Sequence, residues 1–254
     1  MLIKLLRHHP VSAVARDYPD GAHVEPHLHE DAQFLYAATG LMRVVTANGA
    51  WIIPPTRAVW IPAGLEHEIF MSGAVRMRSL FIAADAAPRT GGCCVLVVTP
   101  LLRELILRAV LLEDRQAAQL ELVQRLMLDE IAELERMPLH IPMPRDRRLQ
   151  SICMTLLKTP EHPFTLEDWA QQVGASSRTL TRLFNQELQM SFQEWRQLVR
   201  LSEALPRLLD GESVKHIAHA LGYSSGRAFS AMFRRLLGET PRTYVANLDG
   251  RRET

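Results

Sequence analysis

The 254-residue chain has only three cysteines, of which Cys93 and Cys94 are adjacent and Cys153 stands far away. That arrangement makes a poor disulfide framework, so a bridge-stapled secreted fold is excluded and a reducing cytoplasm is the expected location. Long apolar runs are also missing. Met1 to Pro10 contains no apolar core of signal length. The apolar stretch from Cys93 to Leu112 is interrupted by Pro100, Arg103, Glu104 and Arg108, which excludes a membrane span. Net charge is nearly absent at +1, but it is unevenly placed. Residues 1–144 carry 13 Lys+Arg against 16 Asp+Glu, and residues 145–254 carry 16 against 12. The basic excess is therefore C-terminal. Nearly all of it is arginine, which can fork onto phosphate and onto guanine.

What is present divides the chain in two. Residues 1–99 read as short β-prone runs separated by turn signals: Ile3 to Leu6, Val11 to Tyr18, Gln33 to Ala38, Gly40 to Ala47, Ala50 to Ile53, Arg57 to Ile61, Glu68 to Met71, Val75 to Ala83 and Val95 to Thr99. Asn48-Gly49 is a strong hairpin signal between two of them, and this spacing predicts a small antiparallel barrel or sandwich. Residues 100–137 turn helical, with apolar residues three and four apart over Pro100 to Glu113 and Ala117 to Met137. These two helices are expected to pack one face on the barrel and offer the other to a second copy. Met137 to Pro144 holds three prolines in eight residues, so residues 138–144 read as an extended linker. Residues 145–247 form a second, all-helical domain, with residues 248–254 as a tail. Its first helix spans Asp146 to Lys158, and Thr165 with Asp168 is placed to form a capping box for the next. The fold class expected is α+β overall.

One pattern is written twice in this second domain. Ala170 is followed four residues later by Gly174, then by Leu180 and Phe184; Ala218 is followed four later by Gly222, then by Phe229 and Phe233. Two short helices crossing steeply need a small residue where their backbones meet and a glycine at the turn. Each copy is a helix-turn-helix candidate. The first apolar anchor comes ten residues after the alanine in one copy and eleven in the other, so the turns should differ by one residue.

A histidine pattern lies upstream. His27 and His29, at i and i+2 in a strand, point to one face, and His67 from a neighbouring strand would complete a facial set suited to zinc, nickel, iron or copper. Gly21-x5-His27-x-His29-x3-Gln33-x6-Gly40 and Pro62-x-Gly64-x2-His67 resemble the two motifs of the cupin superfamily. Gln33 stands where that family has glutamate, and Met71 where its second motif ends in asparagine. Two readings fit: a divalent metal (zinc, nickel or iron) held by His27, His29 and His67 with Gln33 as a fourth or supporting group, or an effector pocket lined by metal-free histidines. His8, His9 and His23 match no motif position.

Residues 145–245 closely resemble the AraC-type transcription regulators. The resemblance is carried by Ala170 to Phe184, by Arg200-Leu201-x2-Ala204-x3-Leu208-Leu209-x-Gly211, and by Ile217-Ala218-x3-Gly222-Tyr223-x5-Phe229-x3-Phe233-x4-Gly238-x2-Pro241-x2-Tyr244. It implies seven helices, two of them recognition helices entering successive major grooves ~34 Å apart, joined by a long bridging helix. Pro206 departs from a good bridge, since an interior proline costs ~3 kcal/mol and is a place to bend. Val245 replaces an arginine. The resemblance further implies double-stranded promoter DNA, RNA polymerase, a small-molecule or metal effector and a homodimer as partners, with activation as the usual sense. The function expected is a non-enzymatic, ligand- or metal-responsive regulator; the alternative is a metal-dependent cupin enzyme with an accessory DNA-binding domain.

Helix geometry nominates the readers. In the first unit Ser176 or Ser177 caps the recognition helix, and Arg178, Thr179, Arg182 and Gln186 share an exposed face. In the second, Ser224 or Ser225 caps, Arg227 and Ser230 face the groove, and Arg234 and Arg235 meet phosphate. Ser177 and Ser225 are counted with the contacting groups. Arg178→Ala is expected to cost ~1 to 3 kcal/mol of discrimination between cognate and random duplex, whereas Arg235→Ala should weaken all sequences alike and flatten the salt dependence. Gel-shift titrations on both duplexes at two salt concentrations separate these outcomes, and equal losses for Arg178→Ala would remove it from base readout.

Overall fold

A computed structural model of the chain describes residues 10–88, 91–112 and 116–249. The expected strand Ile3 to Leu6, His8 and His9 and the last five residues lie outside that set. The chain forms two compact units, one of the residues up to Ala47 with Trp51–Leu139, the other of Asn48–Ala50 with the residues from His140 onward.

The first unit is an antiparallel sheet with two appended helices. Its strands are β1 (Val11–Tyr18), β2 (His23–His27), β3 (Ala32–Thr46), β4 (Gly49–Ile53), β5 (Arg57–Ile61), β6 (His67–Ile82), β7 (Cys94–Val97) and β8 (Arg136–Met137). The long strands β3 and β6 pair along nearly their whole lengths. β1 lines β6 from Val75 to Ile82, β2 lines its other half, and the order continues from β3 through β5 and β7 to β8. Two expected pairs of short strands are thus single strands. The expected breaks fall at Thr39 and between Met71 and Val75, yet Gly40 and Gly73 there take positive φ inside continuous strands, and the register slips past Thr39 without ending the pairing. At Gly40 a Cβ would stand 2.7 Å from Val75 Cγ2 and 2.8 Å from the Ala74 carbonyl oxygen, so the close approach requires glycine.

One face of this sheet is covered. Phe34, Tyr36, Ala58, Trp60, Leu80, Ile82 and Leu96 pack against α1 (Pro100–Leu111) and α2 (Ala117–Glu133) through Leu102, Ile106, Ala109, Met127 and Ile131. Alternate residues therefore point the other way, and Gln33 donates there to its diagonal neighbour Ser79. The helix expected to run to Met137 stops at Glu133. Met137 precedes Pro138, which disfavours helical backbone at that position, and Arg136–Met137 instead pairs with β7 while Arg57 Nε donates to Met137 Sδ at 2.8 Å. All three thiols are free. Among the described residues, no helix is long and apolar enough to cross a membrane.

The second unit opens inside the proline-rich stretch. His140–Pro142 forms β9, and the Pro142 carbonyl accepts from Trp195 Nε1 at 2.8 Å, so the expected linker is extended but packed. Among the described residues seven α-helices follow: α3 (Arg147–Lys158), α4 (Leu166–Gln172), α5 (Ser177–Leu183), α6 (Phe192–Leu209), α7 (Val214–Ala220), α8 (Gly226–Leu237) and α9 (Pro241–Asp249), with a π-turn, Phe184–Leu188, extending α5. Side chains set most starts: Asp146, Thr165, Ser176, Ser191, Ser213 and Ser225 each accept a backbone N–H, and Thr165/Asp168 and Ser191/Glu194 close full capping boxes. The bridging helix α6 continues through Pro206 to Leu209, so the proline does not break it.

Truncating the inward face of α2 at Ile131→Ala is expected to cost ~2 to 5 kcal/mol by the cavity it leaves, and Leu122→Ala on the outer face of the same helix less than about 0.5 kcal/mol in the monomer. Urea melts of dilute protein check the difference; equal costs would contradict the assigned faces.

Candidate nucleic-acid interface and histidine cluster

Both helix-turn-helix units form. Ala170 and Ala218 are buried at the helix crossings, Leu180 with Phe184 and Phe229 with Phe233 are fully buried, and Gly174 and Gly222 take φ of +64° and +73°. The cap Ser176 follows its glycine by two residues and the cap Ser225 by three, which is the one-residue difference in turn length that the spacing predicts. Ser176, not Ser177, caps α5, and Ser225, not Ser224, caps α8.

The exposed side of α5 is an open concavity of about 740 Å³ lined by Ser177, Arg178, Thr179, Arg182 and Gln186, with Glu167, Thr181 and Asn185 beside them. Arg178 and Arg182 are exposed, and Arg182 Nη1 donates to Gln186 Oε1 at 2.9 Å. Thr181 and Asn185 escaped the sequence reading although they stand three and seven residues from Arg178, the spacing that returns to its side of the helix. On α8, Arg227 and Arg234 are exposed at a seven-residue interval. Ser225 accepts from the Ala228 N–H at 3.2 Å, and half-buried Ser230 donates to the Gly226 carbonyl at 2.8 Å, so both hydroxyls already serve the helix. Arg235, expected to be free for phosphate, donates to Gln197 Oε1 on α6.

Two arginines on α6 fasten this unit together. Arg200 is 5% exposed; its Nε donates to the Pro160 carbonyl at 3.1 Å and its guanidinium lies 5.0 Å from the Tyr223 ring centroid. A Cβ at Gly222 would stand 3.1 Å from Arg200 Nη2. One turn earlier, Arg196 donates to the carbonyls of Phe164 at 3.0 Å and His162 at 2.7 Å. The loop that leads into the first helix-turn-helix and the turn of the second thus rest on neighbouring side chains of one helix. The sequence reading had Arg200 only as part of a motif.

In the first unit, His27 on β2 pairs directly with His67 on β6. His29 lies just beyond the end of β2 and not in a strand, yet its ring joins them: centroids stand 4.4 Å apart for His27 and His67, 4.9 Å for His27 and His29, and 5.5 Å for His29 and His67. One nitrogen from each lies within 4.8 Å of the others. His27 Nδ1 donates to the Glu25 carbonyl at 2.7 Å and His67 Nδ1 to the Leu65 carbonyl at 2.9 Å, which leaves each Nε2 as the lone-pair nitrogen. The Nε2 atoms of His29 and His67 are buried without a partner. Burial, aided by the His27, His67 and Arg16 charges, pushes His29 down to about 4, and burial lowers His67 too, so both are neutral near pH 7. Neutral, oriented imidazoles with buried free lone pairs fit a divalent transition ion. Gln33 is 2% exposed, donates to Ser79 Oγ at 3.2 Å, and has a buried Oε1 without a partner. His23 does have partners: it bonds Glu68 at 2.9 Å and stacks on Phe70 at 4.3 Å.

Comparison with known proteins decides the family. Residues 8–128 match the AraC-like ligand binding domain and residues 169–247 the Helix-turn-helix domain. The chain is 35% identical over 225 residues to the HTH-type transcriptional regulator NimR of Escherichia coli, covering 87% of this chain and 82% of that one. It belongs to the AraC-type family of transcription regulators. The HTH-type transcriptional regulator RipA of Corynebacterium glutamicum is 32% identical over 109 residues, 43% of this chain and 33% of its own. The crystal structure of ToxT from Vibrio cholerae aligns over 95% of this AraC-type chain and 99% of its own at 12% identity and a TM-score of 0.40.

Arg200→Met removes a buried charged donor and its support for Tyr223, and is expected to cost ~2 kcal/mol of stability in the second unit. Thermal melts monitored by tryptophan fluorescence test this, with Arg178→Ala as the exposed control expected to melt like the unaltered protein. An unchanged transition in Arg200→Met would contradict the clamp.

Proposed function

We propose that the chain is a one-component cytoplasmic regulator whose N-terminal unit binds an effector through a divalent metal at His27, His29 and His67, and whose C-terminal unit reads promoter DNA with Arg178, Thr179, Arg182, Arg227 and Arg234. The observation that carries the metal half is the pair of buried, partnerless Nε2 atoms of His29 and His67 within reach of His27. Desolvated lone pairs cost free energy unless something binds them, and three converging imidazoles form a ligand set for zinc, nickel or iron. When bound, the ion supplies Lewis acidity and two positive charges; the chain's own residues orient the rings through the carbonyls of Glu25 and Leu65.

The DNA half rests on the exposed arginines of α5 and α8, of which Arg178 and Arg227 stand next to a capped helix N-terminus; Ser177 and Ser225 donate a hydroxyl proton to phosphate, and Ser230, whose proton goes to the Gly226 carbonyl, offers a lone pair to a base amino group. Leu122 and Leu126, four apart on the outer face of α2 and 68% and 42% exposed, support pairing with a second copy. RNA polymerase is the further partner, by family resemblance. Turnover in the N-terminal unit is the second reading, since the same three histidines would serve an enzyme; the match to a regulator over 87% of the chain favours sensing.

The purified full chain is expected to carry one transition-metal ion per chain by elemental analysis, to lose it in His67→Ala, and to change its affinity for promoter DNA at least several-fold on chelation. No metal, with DNA affinity unchanged by chelator, would leave an organic effector on metal-free histidines.

A further inference from the structure

The histidine cluster is short of negative charge. Its three members are imidazoles, which bring no negative charge to an ion, and among the described residues no aspartate, glutamate or cysteine belongs to the group. Gln33, where the cupin pattern has glutamate, is an uncharged amide. It lies beside the cluster: it faces Phe81 across the pairing of β3 with β6, and the Phe81 ring is 4.8 Å from that of His29. Its nitrogen is committed to Ser79, two residues along the same strand face, while its oxygen is buried and unpaired. From outside the cluster, Arg16 on β1 adds a positive charge that acts on His29.

Two physical consequences follow. A dication held by three imidazoles keeps both charges, and a charge taken partly out of water needs an anion beside it. Three protein ligands also leave at least one coordination position exchangeable, which distinguishes a working site from a structural one.

We propose that the effector is a small carboxylate that completes this site from outside: its carboxylate takes the position left beside His27, His29 and His67, and a hydrogen-bond donor on it meets the free Gln33 oxygen. The proposal rests on the metal reading above and deepens it. The ion is then the anchor for the signal and not the signal itself. Linkage requires that carboxylate and ion each raise the other's affinity. Replacing Gln33 by glutamate would supply the missing anion from within, so Gln33→Glu tightens the ion and excludes the external carboxylate.

The test uses the full chain loaded with cobalt(II), whose visible absorption reports its ligands. Acetate and glycolate are titrated against acetamide as a neutral control, and the same additions are made to metal-free protein by calorimetry. The expected result is a saturable spectral change with the two carboxylates, none with acetamide, no heat without metal, and about tenfold or greater weakening of carboxylate binding in Gln33→Glu alongside tighter cobalt. Cobalt bound with a spectrum blind to carboxylates would overturn this inference and leave the metal reading standing. No cobalt binding at all would overturn both. An equal response to acetamide, or carboxylate affinity unchanged in Gln33→Glu, also contradicts it. The metal dependence seen in the unaltered chain decides the matter whether or not the variant folds.

Discussion

A polar group taken out of water must find a partner, and the two units meet that constraint to different degrees. On α6 of the C-terminal unit the buried guanidinium groups are largely paired, although Arg196 Nε and, on α4, Trp169 Nε1 stay buried without a partner. The guanidinium of Arg200, 5% exposed, has the Pro160 carbonyl and the Tyr223 ring, and Arg196 has the carbonyls of His162 and Phe164. Those contacts give α6 the same footing under both helix-turn-helix units, so the angle between the readers is set by buried, directional bonds as well as by apolar packing. In the N-terminal unit the constraint is left open. Buried nitrogens of His29 and His67 and the oxygen of Gln33 have no partner and lie together in one cluster, which is the observation behind the proposed metal site.

The same contrast describes a regulator. A reader has to be finished before it meets DNA, because discrimination among base pairs depends on side chains held in register with two grooves. A sensor has to be unfinished, because a ligand can bias a protein only through contacts that are absent without it. Here Arg178 and Arg182 project from a helix whose start is fixed by Ser176 and whose inner face is fixed by Leu180 and Phe184. His27 and His67 are held by backbone carbonyls and by strand pairing, the His29 ring stands beside them, and the buried Nε2 atoms of His29 and His67 meet no partner.

Much of this was legible in the sequence, and what was not has identifiable causes. Helix starts were readable because a cap is local: Thr165 with Asp168 needs only three residues of context. The unequal turns were readable from the Ala to Leu180 and Ala to Phe229 intervals. Strand ends were not, because Gly40 and Gly73 serve as bends within paired strands and a bend and a stop carry the same residue. The last turn of α2 was over-extended because the apolar period continues past Glu133, and Pro138 acts on Met137 before it. The three histidines were legible from strand spacing together with the resemblance to the two cupin motifs, although His29 lies just beyond the strand expected to hold it. The partners of Arg200 lie forty residues before it and some twenty after, and no local pattern encodes such a contact.

The two helix-turn-helix units are joined by a single bridge, α6, which fixes their spacing. Hydroxyl-radical footprinting of the full chain on its promoter, repeated with ~5 base pairs inserted between the two contacted segments, tests this most directly. Two protected patches about one helical turn apart on one face of the duplex, both weakened by the half-turn insertion, are predicted. Two patches that survive the insertion with undiminished affinity would show readers that move independently, and would contradict it.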